Sequence, residues 1–249
     1  MHHQAITPAI SPITPVTVTR PAHYRAKIDS VSPESRRDNF EQHEECFLGI
    51  SLENSNFVRA KLSGIVEWIA RRFARCTVLV GDSIHRITLE TTRGLAPDAA
   101  LAEGLRLGRE FTARERDVFA GFADRTRFSF LTCGEVQTTA AYVAYHDQLV
   151  ELYRTDERFR ASVESFGRKY HVKHATSISE AELERRIQRS SDYFLEEFAI
   201  FACLRQQGTQ VMVYPGSFST LAEIADGHHP DAPQELRDLV VVSLHLRGR

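Results

Sequence analysis

The sequence predicts a single α/β domain built on a doubly wound, mainly parallel sheet. Three observations carry that reading. Short continuous apolar runs recur along the chain, each stopped by a turn residue. Amphipathic stretches of helical period separate them. The first two runs flank one such helix, and a strand–helix–strand unit implies parallel pairing with a right-handed crossover.

Residues 1 to about 25 are rich in Pro, Thr and Ala and show no usable period, so they read as a disordered tail, with the domain spanning 26–249. Ser32-Pro33-Glu34-Ser35 fits a helix start, Pro following a Ser cap. Cys46–Ile50 is a buried strand that stops at Ser51, followed by the polar loop 52–56. A helix over 57–75 places Leu62, Ile65, Val66, Ile69 and Phe73 on one face. Thr77–Val80 is the second strand, ending at Gly81-Asp82, and 97–122 is a long arginine-bearing helix. Phe128–Leu131 reads as a third strand, and 135–153, 156–170 and 179–206 as helices. Gln210–Tyr214, stopped by Pro215-Gly216, and Leu239–Leu244 complete the strands. In such a sheet, ligands are expected beyond the C-terminal strand ends.

The 31 Lys and Arg against 33 Asp and Glu leave a net charge of −2, so nucleic-acid binding must come from local patches. Four scattered cysteines, Cys46, Cys76, Cys133 and Cys203, fit neither a disulfide framework nor a zinc ribbon. With no long apolar run and no signal-peptide pattern, the expectation is a cytoplasmic protein off the membrane, and a monomer, since no heptad stands out. A P-loop, a GxGxxG turn and HExxH are all missing. Gly49-Ile50-Ser51-Leu52-Glu53 lacks the second glycine of a hydrolase elbow.

Ser51, at a buried strand's end, is placed to be a nucleophile, or to be a polar loop residue or helix cap. Tyr193 and Glu197 share a helix face, where a half-buried carboxylate can bind an ammonium or act as a base; an ordinary solvated Glu is the plainer alternative. Tyr214 ends a strand, as a site hydroxyl or a rim aromatic. Asp82 reads as a cap. Arg106, Arg109, Arg114 and Arg116, with Arg59, Lys61, Arg71, Arg72 and Arg75, can face phosphates or form a solvated surface interleaved with Glu110, Glu115 and Asp117. His171-x-x-His174 has metal spacing but no third ligand, and no metal is expected. His228-His229 reads as a polar loop.

Three blocks in order resemble the cyclodipeptide synthase family: Phe47-Leu48-Gly49-Ile50-Ser51-Leu52-Glu53-Asn54-Ser55-Asn56-Phe57, Asp192-Tyr193-Phe194-Leu195-Glu196-Glu197-Phe198-Ala199-Ile200-Phe201, and Val211-Met212-Val213-Tyr214-Pro215. The likeness runs from about residue 40 to 220. It implies a Rossmann-like fold similar to the catalytic domains of class I tyrosyl- and tryptophanyl-tRNA synthetases, with no ATP site, no cofactor, and two aminoacyl-tRNAs as substrates. It further implies ping-pong chemistry. Ser51 takes the first aminoacyl group, the second aminoacyl-tRNA gives its amino group to that ester to form a dipeptidyl-enzyme, and ring closure releases a diketopiperazine. Glu197 with Tyr193 would hold the ammonium, Tyr214 would relay protons, and Gly49 would leave room for the aminoacyl group.

Pro215 is that of the family's proline-bearing subgroup, whereas Asn54 is expected of the other, which leaves the orientation of the Ser51 loop open. By position, the first aminoacyl pocket would be lined by Phe47, Gly49, Leu79, Gly81, Ile200 and Met212. Phe47 and Met212 narrow it and favour a small apolar residue such as alanine. Arg106, Arg109, Arg114 and Arg116 would bind tRNA. Tailoring enzymes could act on the product. The rival readings are a serine hydrolase or acyltransferase, which would need His85 or His171 to activate Ser51, and a non-catalytic tRNA-binding relative of the synthetases.

Overall fold

The computed structural model describes residues 23–174, 179–216 and 219–248. Six strands form one sheet, β1 (Tyr24–Ser32), β2 (Glu45–Ile50), β3 (Arg75–Val80), β4 (Arg127–Thr132), β5 (Val211–Tyr214) and β6 (Val240–Gly248), in the order β1-β6-β5-β2-β3-β4. β2 pairs in parallel with β3 and β5, as do β3 with β4 and β5 with β6; β1 alone runs antiparallel, against β6. The helices are α1 (Arg59–Ala70), α2 (His85–Arg93), α3 (Pro97–Ala120), α4 (Cys133–Gln137), α5 (Ala140–Thr155), α6 (Glu157–His174), α7 (Glu180–Gln206), α8 (Ser219–Ala225) and α9 (Gln234–Arg237).

The apolar runs are continuous because the sheet is buried on both faces. Side chains alternate along each strand. Cys46, Leu48, Ile50, Val78, Val80, Val211 and Val213 pack with α1 and α3 in one core. Phe47, Leu79, Met212 and Val241 point the other way, into a second core with α7. Continuing the alternation, Ser51 follows Phe47 and Gly49, and Tyr214 follows Met212. Both therefore face the α7 side at the C-terminal strand ends.

Two glycines bring α3 close to the end of β3. A Cβ at Gly104 would lie 2.6 Å from the Asp82 carbonyl oxygen, and one at Gly108 would lie 2.5 Å from the Asp82 Cβ. Asp82 is not the cap expected of the next segment, because α2 follows Ile84 with no side-chain cap. Its Oδ1 accepts the Ser83 amide at 2.7 Å and the Gly134 amide, at the start of α4, at 2.9 Å.

The strands and long helices read from sequence are present, with differences. The helix expected over 57–75 is preceded by a 3-10 turn at Ser55–Phe57 and stops at Ala70. The one expected over 135–153 is broken into α4 and α5, where Thr139 caps α5 by accepting the Tyr142 amide at 3.2 Å. At the Ser32-Pro33 stretch, a 3-10 turn over Glu34–Arg36 begins after Pro33 without a side-chain cap. β1, α2, α8 and α9 had no counterpart in the sequence reading. The tail reading falls largely on residues 1–22, outside the described residues.

Candidate active site

Ser51 and Tyr214 meet because β2 and β5 are neighbours in register, Phe47 opposite Met212 and Leu48 opposite Val213. The Ser51 Oγ lies 2.9 Å from the Tyr214 hydroxyl. Gly49 lies against the Tyr214 ring, where a Cβ would sit in ordinary contact at 3.6 Å. Phe57 packs against the same ring at a tilt, with centroids 5.8 Å apart.

The loop after Ser51 is a tight turn. The Asn54 amide donates to the Ser51 carbonyl at 3.4 Å, and Glu53 sits at φ 59°. For a residue with a Cβ, the left-handed region costs on the order of 1–3 kcal/mol. The Asn54 side chain closes the next step, its Oδ1 accepting the Asn56 amide at 2.9 Å. Its Nδ2 donates to the Tyr214 hydroxyl at 3.4 Å, while the Asn56 Nδ2 donates to the Pro215 carbonyl at 2.8 Å. Asn54 and Pro215 thus belong to one hydrogen-bonded arrangement, linked through Asn56.

From above, α7 presents Tyr193 and Glu197 one turn apart. The Tyr193 hydroxyl donates to Glu197 Oε1 at 3.4 Å. Glu197 Oε2 is buried without a partner, and the residue is 7% exposed. Burial pushes this carboxyl from its ordinary 4.5 up to about 8, the Tyr193 bond opposing. Burial also raises the Tyr193 phenol well above 10, helped by the charges of Glu197, Tyr214 and Cys133 and opposed by a hydrogen bond with Ser51. Tyr214 is pushed up to about 12, first by burial, against its bonds with Ser51 and Asn54. Both phenols are protonated at neutral pH and can donate.

The remaining predicted residues divide. Phe47, Leu79, Ile200 and Met212 join the α7-side core at 0–2% exposure, with Tyr193 and Tyr214 packed against it. Phe47 is filled in by Phe201, with ring centroids 5.3 Å apart. Gly81 lies against β2, and a Cβ there would sit 2.9 Å from the Ile50 carbonyl. A cavity of about 250 Å³ lies elsewhere, between β1 and α1 beside Arg25, Gly64 and Trp68.

Arg106, Arg109, Arg114 and Arg116 are all exposed on α3. Arg106 pairs with Glu103 and Glu110, and Arg114 with Glu115; Arg109 and Arg116 have no ion pair among the described residues. Arg59 crosses from α1 to Asp117 and Glu115.

His85 and His171, the candidates to activate Ser51, are held by other groups. His85 Nε2 lies 3.1 Å from Glu53 Oε2, and His171 Nε2 lies 2.9 Å from Ser190 Oγ on α7. The His174 side chain falls outside the described residues. His229 is buried beside Glu223, its Nε2 3.3 Å from Oε2. Among the described residues no three His, Cys, Asp or Glu side chains gather as a metal site, and no helix is long and apolar enough to cross a membrane.

Sequence reasoning missed a second polar group beside the site. The Arg86 guanidinium clasps both Glu196 oxygens and donates to the Ser83 carbonyl at 3.0 Å. Gln137 Nε2 donates to Glu196 Oε2 at 2.8 Å and to the Tyr142 hydroxyl at 3.2 Å. The partners lie far apart in sequence, so no local pattern announces them.

A serine on a phenol, with an orphaned carboxyl above it at the strand ends, fits acyl transfer, and the comparisons with known proteins name the family. The cyclodipeptide synthase family model matches residues 30–204. The chain belongs to the cyclodipeptide synthase family. Membership makes it an aminoacyltransferase that forms peptide bonds and depends on tRNA.

No curated protein matches the chain by sequence. Solved structures share the fold at low identity. A cyclodipeptide synthase from Fluoribacter dumoffii superposes with a TM-score of 0.76 at 19% identity, covering 92% of this chain and 100% of that one. A Mycobacterium tuberculosis protein, whose structure is described as relating cyclodipeptide synthetases to type I tRNA-synthetases, superposes at 0.67 with 18% identity, covering 93% and 96%. A synthase from Candidatus Glomeribacter gigasporarum, bound to Phe-tRNAPhe, superposes at 0.59 with 16% identity, covering 81% and 86%.

Proposed function

We propose that this synthase joins two aminoacyl groups from charged tRNAs into a cyclic dipeptide through esters on Ser51. The observation that carries the proposal is Ser51 Oγ at 2.9 Å from the Tyr214 hydroxyl, with the partnerless Glu197 Oε2 close enough to Tyr214 for its charge to raise that phenol. The tRNA ester is already activated, so what the site must supply is orientation, charge complementarity and proton management.

In the first step, Ser51 Oγ attacks the ester carbonyl of one aminoacyl-tRNA. The Ser51 ester bond forms, the bond to the ribose oxygen breaks, and the serine proton reaches that oxygen through the Tyr214 hydroxyl. Glu197 receives the substrate ammonium at its open oxygen, and binding that cation draws the carboxyl to its charged form. Its value of about 8 belongs to the empty site and falls when the ammonium binds, so Glu197 takes that proton only as the amine attacks and its basicity is lost.

Atom balance then sets the direction of the second step, and it corrects the version in which the second substrate's amine attacks. That attack would free Ser51 and leave the dipeptide on tRNA. A dipeptidyl ester on Ser51 requires the amine of the bound residue to attack the second aminoacyl-tRNA, expelling its tRNA. The new terminal amine then attacks the seryl ester, closes the six-membered ring and returns Ser51 with its proton.

Phe47 and Met212 pack in the core rather than line an open pocket, but the Met212 Cε would lie 3.8 Å from a Cβ at Gly49, and that crowding supports a small apolar first residue beside the glycine. The exposed Arg109 and Arg116, without an ion pair among the described residues, support α3 as the tRNA face, with Arg106 and Arg114 shared with acidic neighbours. Charged tRNA as substrate also supports work in the cytoplasm.

The test is to supply purified protein and Ser51→Ala with a pool of charged tRNAs and to analyse products by mass spectrometry. A diketopiperazine from the parent and none from the variant is expected, and the masses name both residues. Equal product from both would overturn the covalent route.

A further inference from the structure

The turn that carries the nucleophile has its left-handed position at Glu53, with φ 59°. Glycine takes that position without strain and Asn tolerates it. Among the described residues, Glu53 is the one non-glycine with positive φ. Its side chain explains why a glutamate can stand there. Oε2 lies 3.1 Å from His85 Nε2, and Oε1 is held by the Arg93 guanidinium. Burial works against the carboxylate, but these hydrogen bonds outweigh it and hold its pKa below the ordinary range.

Both partners come from α2, and α2 is firmly seated. His85 is 5% exposed, Ile87 and Leu89 are buried, and the helix packs along α3 and α7. The clamp therefore ties the middle of the Ser51–Asn54 turn to a fixed helix. The two ends of the same turn, Ser51 Oγ and Asn54 Nδ2, both converge on the Tyr214 hydroxyl.

We infer that Glu53, gripped by His85 and Arg93, is a positioning residue that holds the Ser51 turn in its reactive geometry. It touches no reacting atom and acts through the backbone of the turn. The inference rests on Ser51 being the nucleophile.

The experiment measures Ser51 acylation by charged tRNA in single turnovers, with melting temperatures, on full-length Glu53→Gln, Glu53→Gly, Arg93→Gln, Arg93→Lys, the double Glu53→Gln/Arg93→Gln, and Ser51→Ala. Glu53→Gly removes the clamp and the backbone strain together, so it folds at least as well as the parent. Glu53→Gln and Glu53→Gly are expected to slow acylation at saturating tRNA by about tenfold, with half-saturation within about twofold, because a slightly misplaced nucleophile loses rate rather than binding. Arg93→Lys keeps more of the rate than Arg93→Gln. The double variant is no slower than Glu53→Gln, as expected for residues acting as one unit.

Parental acylation rates in both Glu53 variants, beside an inactive Ser51→Ala, would overturn the clamp and leave the nucleophile standing. A loss confined to half-saturation would also overturn it, marking Glu53 as a tRNA contact. Undiminished product from Ser51→Ala would instead sink the reading beneath it.

Discussion

Glu196 and Glu197 are neighbours on α7, both under 10% exposed, and they meet opposite surroundings. Glu196 has each oxygen taken, by the Arg86 guanidinium and the Gln137 amide. Glu197 has one long bond, from Tyr193, and an oxygen with none. A buried polar group left unsatisfied costs free energy that a folded chain ordinarily avoids. The saturated carboxylate therefore belongs to the scaffold, and the unsaturated one is the group proposed to meet a ligand. One residue step along a helix rotates a side chain far enough to separate the two roles.

Breaking the unsaturated side has the largest expected effect. Glu197→Gln keeps the shape and removes the charge, and product formation should fall by about 10²-fold or more. Stability should move the other way. The unfolded chain releases this proton near 4.5 and the folded one near 8. Between those values the unfolded state binds fewer protons, so the parent loses stability as pH rises through the window. Below it, both states are protonated and the penalty vanishes. Urea midpoints of parent and Glu197→Gln should diverge in favour of the variant between about pH 5 and about pH 8.5. A constant difference would mean that the carboxyl is not raised.

On the saturated side the effect is on folding. Arg86→Met leaves Glu196 as an uncompensated buried charge, and should destabilise by ~3 kcal/mol in urea denaturation. Removing both partners, as Arg86→Met/Glu196→Met, should recover most of that loss. If the double variant is no better than the single one, the ion pair is not what holds these elements together.

The same contrast explains what could be read from sequence. β2, β3 and β5 were legible because burial on both faces makes each a continuous apolar run. β1, Tyr-Arg-Ala-Lys-Ile-Asp-Ser-Val-Ser, was not. As an antiparallel edge strand it alternates with exposed Arg25, Lys27 and Asp29 and looks like a continuation of the polar tail. α2 carries three threonines in nine residues, weak helix formers, and is held by tertiary packing rather than propensity. Ser51 and Tyr214 stood out as polar residues ending apolar strands. The orphaned oxygen of Glu197, the Arg86 clasp and the Glu53 clamp depend on partners brought together by the fold, so no spacing could announce them. Nor could spacing show that the expected aminoacyl lining is closely packed core.

A smaller effect tests how α3 is seated beneath this region. Gly104→Ala would push a methyl toward the Asp82 carbonyl, 2.6 Å away. Backbone yields poorly, so overpacking should cost about 2 kcal/mol. Asp82 also binds the start of α4, which carries Gln137. The disturbance should therefore reach the Glu196 network before it reaches Ser51. Thermal melting with the rate of Ser51 acylation separates the two: a lower melting temperature with acylation within about twofold of parent fits. A stable protein with slow acylation would place the α3 contact under the nucleophile instead.

The smallest expected change lies on the outer face of α3, where the contrast between held and free groups recurs among cations. Arg106 is shared by Glu103 and Glu110, while Arg109 and Arg116 have no acidic partner among the described residues. Exposed ion pairs contribute about 0–1 kcal/mol, so Arg106→Ala should barely move the melting temperature. A phosphate must compete with two carboxylates for Arg106 but with none for Arg109. Arg109→Glu should therefore weaken charged-tRNA binding more than Arg106→Glu, and should lower the slope of log affinity against log salt by about one unit if a single phosphate contact is lost. Equal effects at both positions would mean that the helix acts through its summed charge, and no change at either would make α3 a solvated face.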